Sequence, residues 1–284
     1  MAQTHIRFDW AIKKLLRDKA NYIVLEGFIS ELLEEDIKID SILESESNRL
    51  TEENKLNRVD ILAQNIRGEL LLIEVQNSAE NDYFHRMLYG VSALITEYLN
   101  KGDAYSKVKK VYSINIVYFS LGQGKDYIYK GKIDFCGIHI QDKLEPSLMQ
   151  KELFNIKEVY EIFPEYYVLR VNNFNDVAKN SLDEWIYFLK NSEIKDEFKA
   201  RGLIQAKDNL RIENLSKVER AAYQKYLEDK RYETSVLESA EVAGELRGRK
   251  QAKLEIAKSL KSKGIETNLI VETTGLTFEE IEKL

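Results

Sequence analysis

Three side chains that could bind a metal ion or orient a water molecule lie close together in the chain: Asp60, Glu74 and Gln76. Asp60 leads into an apolar run, and Glu74 and Gln76 belong to a second apolar run at residues 70–76. Carboxylates within apolar strands are costly unless something pairs with them. Each of the two acids therefore needs a partner, either a metal ion or a basic side chain.

The turn between the two runs predicts how they pair. Asn65 stands where a type I turn favours a side-chain acceptor, and Gly68 stands where the chain needs a positive φ, which is typical of a three-residue hairpin loop closed by a bulge. Such a loop pairs Asn65 with Glu69. Counting outward in antiparallel register places Asp60 opposite Glu74 on one face of the hairpin, and Gln76 follows two residues later on that face.

Two interpretations of the opposed acids remain open from the hairpin alone. Neighbouring carboxylates repel each other, and a divalent cation would relieve the repulsion. Mg²⁺ prefers oxygen ligands and is typically held by one or two carboxylates plus waters. The alternative is that the two acids form structural ion pairs with basic side chains, for example those of Arg58 and Arg86.

The surrounding pattern predicts an α/β fold. Helical segments at residues 8–17 and 22–34 precede a strand at 37–43, and the hairpin follows. Apolar residues at helical spacing then predict a long amphipathic helix over residues 80–100, and the β-branched and aromatic run at 111–121 predicts a central strand. The element order is helix, three strands, helix, strand, which favours a mixed sheet flanked by helices.

This order, with Asp on the second strand and Glu-x-Gln on the third, resembles the restriction-endonuclease-like core of the PD-(D/E)XK nuclease superfamily. Within it, the chain resembles the branch of recombination-promoting nucleases and transposases over roughly residues 5 to 175. The segments that carry the resemblance are residues 8–16, 57–62, 73–77, 85–90 and 113–119.

The resemblance implies a DNA endonuclease that hydrolyses phosphodiester bonds with Mg²⁺, for which Mn²⁺ would substitute. It implies that Asp60 and Glu74 hold the metal and that Gln76 completes the catalytic set. The superfamily usually has Lys at this third position. Gln76 could orient a water by hydrogen bonding, but a neutral amide offers no cation, so more of the electrostatic burden would fall on the metal or on a nearby Lys or Arg.

Three further residues are candidates for the same site. Glu26 lies on the apolar stripe of the second helix, where it could be an additional metal ligand by resemblance, or a long side chain that reaches solvent. Lys13 could face the substrate phosphate, or form an ordinary surface pair with Asp9 four residues earlier. Arg86 could steer phosphate or lock Glu74 in place.

Composition limits the remaining possibilities. The 284 residues are 44% hydrophobic, enough for a full core, and the single cysteine rules out an intramolecular disulfide. The sequence shows no basic apolar leader and no apolar run of membrane-span length, so we expect a cytoplasmic protein without a membrane partner. The formal net charge of −6 argues against general coating of nucleic acid, so DNA binding would depend on local basic groups.

A domain boundary is expected near residue 175, with a nuclease-like domain at 1–175 and a helical region at 176–284. In the latter, residues 233–263 predict one long helix, which cannot bury its own apolar face and could support a homodimer. Gly264 and Gly275 predict helix ends, and Thr277 with Glu280 forms a capping box. The two short terminal helices weakly resemble a helix-turn-helix, but Glu279, Glu280 and Glu282 would repel phosphates, which favours packing or dimerisation.

Two other functions remain possible. The fold could be retained as a nucleic-acid-binding module without turnover, which would require a basic surface. The chain could instead be a structural or assembly protein whose acids form ion pairs, which would require an exposed apolar stripe on the helical tail.

Overall fold

The computed structural model describes residues 5–43 and 60–284. Residues 57–59, including Arg58, lie outside them. The strands are β1 (Ile39–Leu43), β2 (Ile61–Asn65), β3 (Leu70–Gln76), β4 (Val111–Val117), β5 (Ile128–Gly131) and β6 (Glu165–Arg170). The helices are α1 (Phe8–Lys14), α2 (Tyr22–Leu33), α3 (Tyr83–Glu97), α4 (Leu148–Phe154), α5 (Ser181–Asn191), α6 (Leu203–Asn209), α7 (Lys217–Ser262), α8 (Thr267–Thr274) and α9 (Phe278–Glu282).

The strands form one mixed sheet in the order β1-β2-β3-β4-β6-β5. The first three strands are an antiparallel meander, and α3 is the crossover that returns the chain to β4, parallel to β3. All seven residues of β4 are buried, as expected of a central strand covered on both faces. The restriction-endonuclease-like α/β fold predicted from the sequence is therefore confirmed.

Helix α3 covers one face of the sheet. Its Val91 and Leu94 pack with Leu62, Leu72 and other side chains of β2, β3 and β4. The buried stripe of α3 is narrower than the sequence pattern indicates, because Phe84 and Leu88 are more than half exposed. In β2 and β3, the residues that face away from α3 are buried as well. The sheet is therefore covered on both faces at the hairpin.

The first compact unit ends at Leu215, forty residues beyond the expected boundary at 175. Trp185 of α5 is fully buried and its ring lies 5.4 Å from that of Phe28 on α2 and 6.3 Å from that of Phe8 on α1. A Cβ on Gly27 would lie only 2.4 Å from the carbonyl oxygen of Arg201, so the two backbones are in direct contact. Residues 176–215 are thus part of the core of this unit.

The second unit spans Ser216–Leu284. Helix α7 is longer than predicted, because it begins at Lys217 with a Ser216–Glu219 capping box. The predicted helix end at Gly275 and the capping box of Thr277 with Glu280 are confirmed. Helices α8 and α9 pack on the end of α7 through Ala257, Ile270 and Ile281 among others.

Within residues 5–43 and 60–284, no helix combines the length and the apolar character needed to cross a membrane.

Candidate active site

The hairpin that carries the two acids has the predicted register. Ile61 pairs with Ile73 and Gln64 with Leu70, so the next residues outward, Asp60 and Glu74, lie opposite each other. The loop closes as the turn chemistry predicts: Asn65 and Glu69 are hydrogen bonded, and Gly68 has a φ of 81°. The side-chain oxygen of Asn65 accepts from the amides of Arg67 and Glu69, which fixes the loop.

Asp60 lies just before β2 and is held from two sides. Its Oδ2 accepts a 2.6 Å hydrogen bond from the amide of Val75, and its Oδ1 forms a 3.1 Å ion pair with Nζ of Lys13. Burial raises the pKa of Asp60, although Lys13 and the Val75 amide oppose the shift. Arg17 also donates to the Asp60 carbonyl oxygen, at 2.5 Å.

Glu74 lies on β3 and is the more strongly perturbed acid. Burial raises its pKa to about 7; Asp60 and Glu80 add to the shift, and Arg86 and a hydrogen bond from Tyr83 oppose it. The Oε2 atom of Glu74 is buried and has no hydrogen-bond partner among the described residues. Among the described residues its ion-pair partner is Arg86, whose Nε lies 3.8 Å away, beyond hydrogen-bonding distance.

Gln76 ends β3 on the same side and is bound through its amide nitrogen. Its Nε2 donates to Oε1 of Glu80 at 2.6 Å and to the carbonyl oxygen of Ser78 at 3.2 Å. Glu80 also accepts from Nη1 of Arg86, at 2.9 and 3.1 Å. Glu80 therefore connects Gln76 with Arg86.

The surface pair expected between Asp9 and Lys13 is wrong. Asp9 is 1% exposed, binds Arg7 and accepts from the amide of Trp10 at the start of α1. Lys13 instead reaches Asp60 and leaves about half of its side chain exposed. Helical spacing could not distinguish the two partners, because Asp60 comes from a distant part of the chain.

Glu26, expected as an additional metal ligand, does not lie with the two acids. Its oxygens accept from Nζ of Lys38 and from the amide of Ile39, both at 2.9 Å. Ile39 pairs with Asn65 at the loop end of the hairpin. Asp60 lies five residues away along the strand, roughly 16 Å at about 3.3 Å per residue. Glu26 anchors β1 there and does not reach solvent freely.

Two residues at the site were not identified from the sequence. The first is Glu80, for which the sequence offers only the presence of an acidic residue three positions before the start of α3. The other is Asn115, which pairs with Glu74 across β3 and β4 and accepts a 3.3 Å hydrogen bond from the hydroxyl of buried Tyr83. A polar amide inside a mostly apolar strand was the signal for Asn115.

The residues present fit a hard divalent cation. Buried Glu74 lies opposite partly buried Asp60, one oxygen of Glu74 has no hydrogen-bond partner among the described residues, and Mg²⁺ needs only one or two carboxylates plus waters. No cluster of three or more His, Cys, Asp or Glu residues suited to a metal occurs in the described ranges. The donor set therefore suits an ion that keeps most of its water, and not a fully protein-ligated one.

Comparison with known proteins assigns the chain to a family. A family model described as a PD-(D/E)XK nuclease family transposase matches residues 6–240, most of the chain. The chain therefore belongs to that family, and the resemblance drawn from its motifs is confirmed. No curated protein and no solved structure matches it. The family indicates a nuclease or transposase-like role, and its members generally use divalent metals.

Proposed function

We propose that this chain is a DNA endonuclease that hydrolyses phosphodiester bonds with Mg²⁺, or with Mn²⁺ in its place, in a recombination or mobile-element setting. The observation that carries the proposal is the buried Oε2 of Glu74, which has no hydrogen-bond partner among the described residues and lies opposite a second, partly buried acid, Asp60, in a chain of this family. A buried charged oxygen without a partner is costly, and it is retained where a ligand compensates it.

Asp60 and Glu74 would hold the metal. When bound, a divalent cation lowers the pKa of the attacking water and neutralises charge that develops on the phosphate. Burial of the two acids keeps the local dielectric low, which strengthens their attraction for a cation. Gln76, on the same side of β3, would position the attacking water.

Lys13 and Arg86 would bind the substrate. Both pair with the acids here, at 3.1 Å from Asp60 and 3.8 Å from Glu74. Neutralising the acids with a cation would weaken these two contacts, so that Lys13 and Arg86 could contact a phosphate, Arg86 while still bonded to Glu80. Lys13 is the more mobile candidate, because it is half exposed and has a flexible stem.

Three other lysines near the sheet already have polar partners. Lys107 pairs with Asp103, Lys109 donates to Gln64, and Lys110 is buried against Glu165. With a net charge of −6, DNA capture would depend on groups at the site and on assembly. We further propose a cytoplasmic protein and a homodimer formed through the C-terminal helices, where α7 exposes Val236, Leu237 and Leu246.

The test is a nicking assay on supercoiled plasmid DNA with Mg²⁺, Mn²⁺ and Ca²⁺. The parent should nick with Mg²⁺ and Mn²⁺, and Asp60→Asn and Glu74→Gln should each lose at least 100-fold of the rate while keeping a cooperative thermal transition. Asp82→Asn is the matched control, because Asp82 is exposed and its side chain caps no amide of α3. Nicking that is undiminished in both site variants would end the proposal.

A second candidate function is a nucleic-acid-binding module without turnover. It is favoured by the two cations that already face the acids, Lys13 and Arg86. This function requires DNA binding that is unaffected by chelators, together with the absence of nicking under every metal.

A further inference from the structure

Gln76 raises a specific question within the proposed function, because it occupies a position where the superfamily usually has a cation. Two roles are chemically possible for it. It could act as a donor, in place of a lysine ammonium, or its carbonyl oxygen could act as an acceptor toward a water or a metal ion.

The hydrogen bonds of Gln76 distinguish the two roles. Its Nε2 lies 2.6 Å from a carboxylate oxygen of Glu80 and 3.2 Å from the carbonyl oxygen of Ser78. Both partners can only accept. A flipped amide would place Oε1 against these two oxygens, so the orientation is determined by the chemistry of the neighbours.

Both hydrogen bonds of the Gln76 side chain are therefore donated by its amide nitrogen. No described residue donates to Oε1 of Gln76, which remains available as an oxygen ligand on the same side of β3 as Glu74. Glu80 itself is held by two hydrogen bonds from Nη1 of Arg86. The orientation of the amide is thus coupled to the arginine that faces Glu74.

We propose that Gln76 supplies its carbonyl oxygen to the metal site as an acceptor, and that Glu80 is the positioning residue that holds the amide in the required orientation. This inference rests on the proposed metal site. It assigns to Gln76 the opposite electrostatic role from a lysine, since an oxygen attracts the cation that an ammonium would repel. Arg86 and Lys13 then supply the positive charge that Gln76 lacks.

The first experiment measures Mn²⁺ binding by calorimetry, without DNA. Gln76→Glu retains an oxygen donor and should bind Mn²⁺ at least as tightly as the parent. Gln76→Lys removes the oxygen, adds a like charge and should weaken binding by about tenfold or more. Equal or tighter binding by Gln76→Lys would overturn the acceptor role.

The second experiment tests Glu80 as a positioning residue. In the parent, Glu80→Ala removes the shorter of the two hydrogen bonds that orient the amide, leaves only the 3.2 Å bond to the Ser78 carbonyl oxygen, and should weaken Mn²⁺ binding by about tenfold. A carboxylate presents an oxygen in either orientation and needs no orienting partner. The same Glu80→Ala change should therefore cost much less in a Gln76→Glu background.

Loss of Glu80 releases Arg86 in both backgrounds, and in Gln76→Glu it also removes a carboxylate that faces the new one. Asp82→Ala controls for removal of a nearby negative charge. An equal cost of Glu80→Ala in the two backgrounds would overturn the positioning role. A parent that binds no Mn²⁺ at all would instead refute the proposed function, so the two failures are distinguishable.

Discussion

Nε of Arg86 lies 3.8 Å from Oε2 of Glu74, and both buried atoms lack a hydrogen-bond partner among the described residues. The distance is too long for a hydrogen bond. The arginine therefore attracts the carboxylate by charge while leaving that oxygen without a donor. This arrangement tolerates a buried acid in the absence of metal and keeps it available to one.

Replacing Arg86 with Met should destabilise the protein in a pH-dependent way. Without the guanidinium, the pKa of Glu74 should rise further above 7. At pH 8 the loss in free energy of unfolding should exceed the loss at pH 5 by up to about 1.4 kcal/mol, the cost of protonating Glu74 one pH unit above its pKa in the parent. At pH 5 Glu74 is protonated and the loss should be much smaller. Urea unfolding at the two pH values measures both, with Arg86→Lys as the charge-retaining control. Equal losses at the two pH values would contradict the contact.

Glu74→Gln should flatten the pH dependence of stability. The folded-state pKa of Glu74 is about 7, above its ordinary value of 4.5, so the folded protein binds an extra proton between these values. Stability from this group is fully present below pH 4.5 and is lost as pH rises through 7. Metal-free Glu74→Gln should therefore be more stable than the parent at pH 8. Thermal melts from pH 5 to 8 test this, and an unchanged slope would refute the shifted pKa.

Lys13→Met should separate the metal site from substrate capture. Asp60 then loses its ion pair, so the free energy of unfolding of the metal-free protein should decrease. Mn²⁺ should bind several-fold more tightly, because the ion no longer competes with Nζ of Lys13 for the Asp60 carboxylate. Binding of DNA should weaken. Lys14→Met is the matched control, since Lys14 is exposed on the same helix. Calorimetry and fluorescence anisotropy give the two affinities. Unchanged Mn²⁺ binding in Lys13→Met would exclude competition at Asp60.

Truncation after residue 215 should leave the first unit folded, whereas truncation at residue 175 should prevent folding. A chain ending after Leu215 keeps the first compact unit and all the site residues, so Mn²⁺ affinity should be retained while self-association is lost. A chain ending at 175 loses Trp185 and Phe188 from the core and should not fold. Circular dichroism, calorimetry and light scattering measure these outcomes. Loss of metal affinity in a folded chain ending at 215 would show that the second unit completes the site.

The sequence by itself determined the hairpin and its two acids. The turn at Asn65 to Gly68 depends on local backbone chemistry, and strand alternation then places Asp60 opposite Glu74 without reference to the rest of the fold. Helix caps such as Thr277 with Glu280 were predictable for the same reason, because a cap forms between residues three positions apart.

Only the tertiary structure decided which charged groups meet at the site. Lys13 reaches Asp60 and not Asp9, Glu26 anchors the far end of the hairpin, and Glu80 links Gln76 to Arg86. The limit of the first unit at Leu215 was likewise set by the burial of Trp185 between helices distant in sequence. These pairings depend on how separate elements pack, and helical or strand periodicity shows only which face a residue lies on, not which element will cover it.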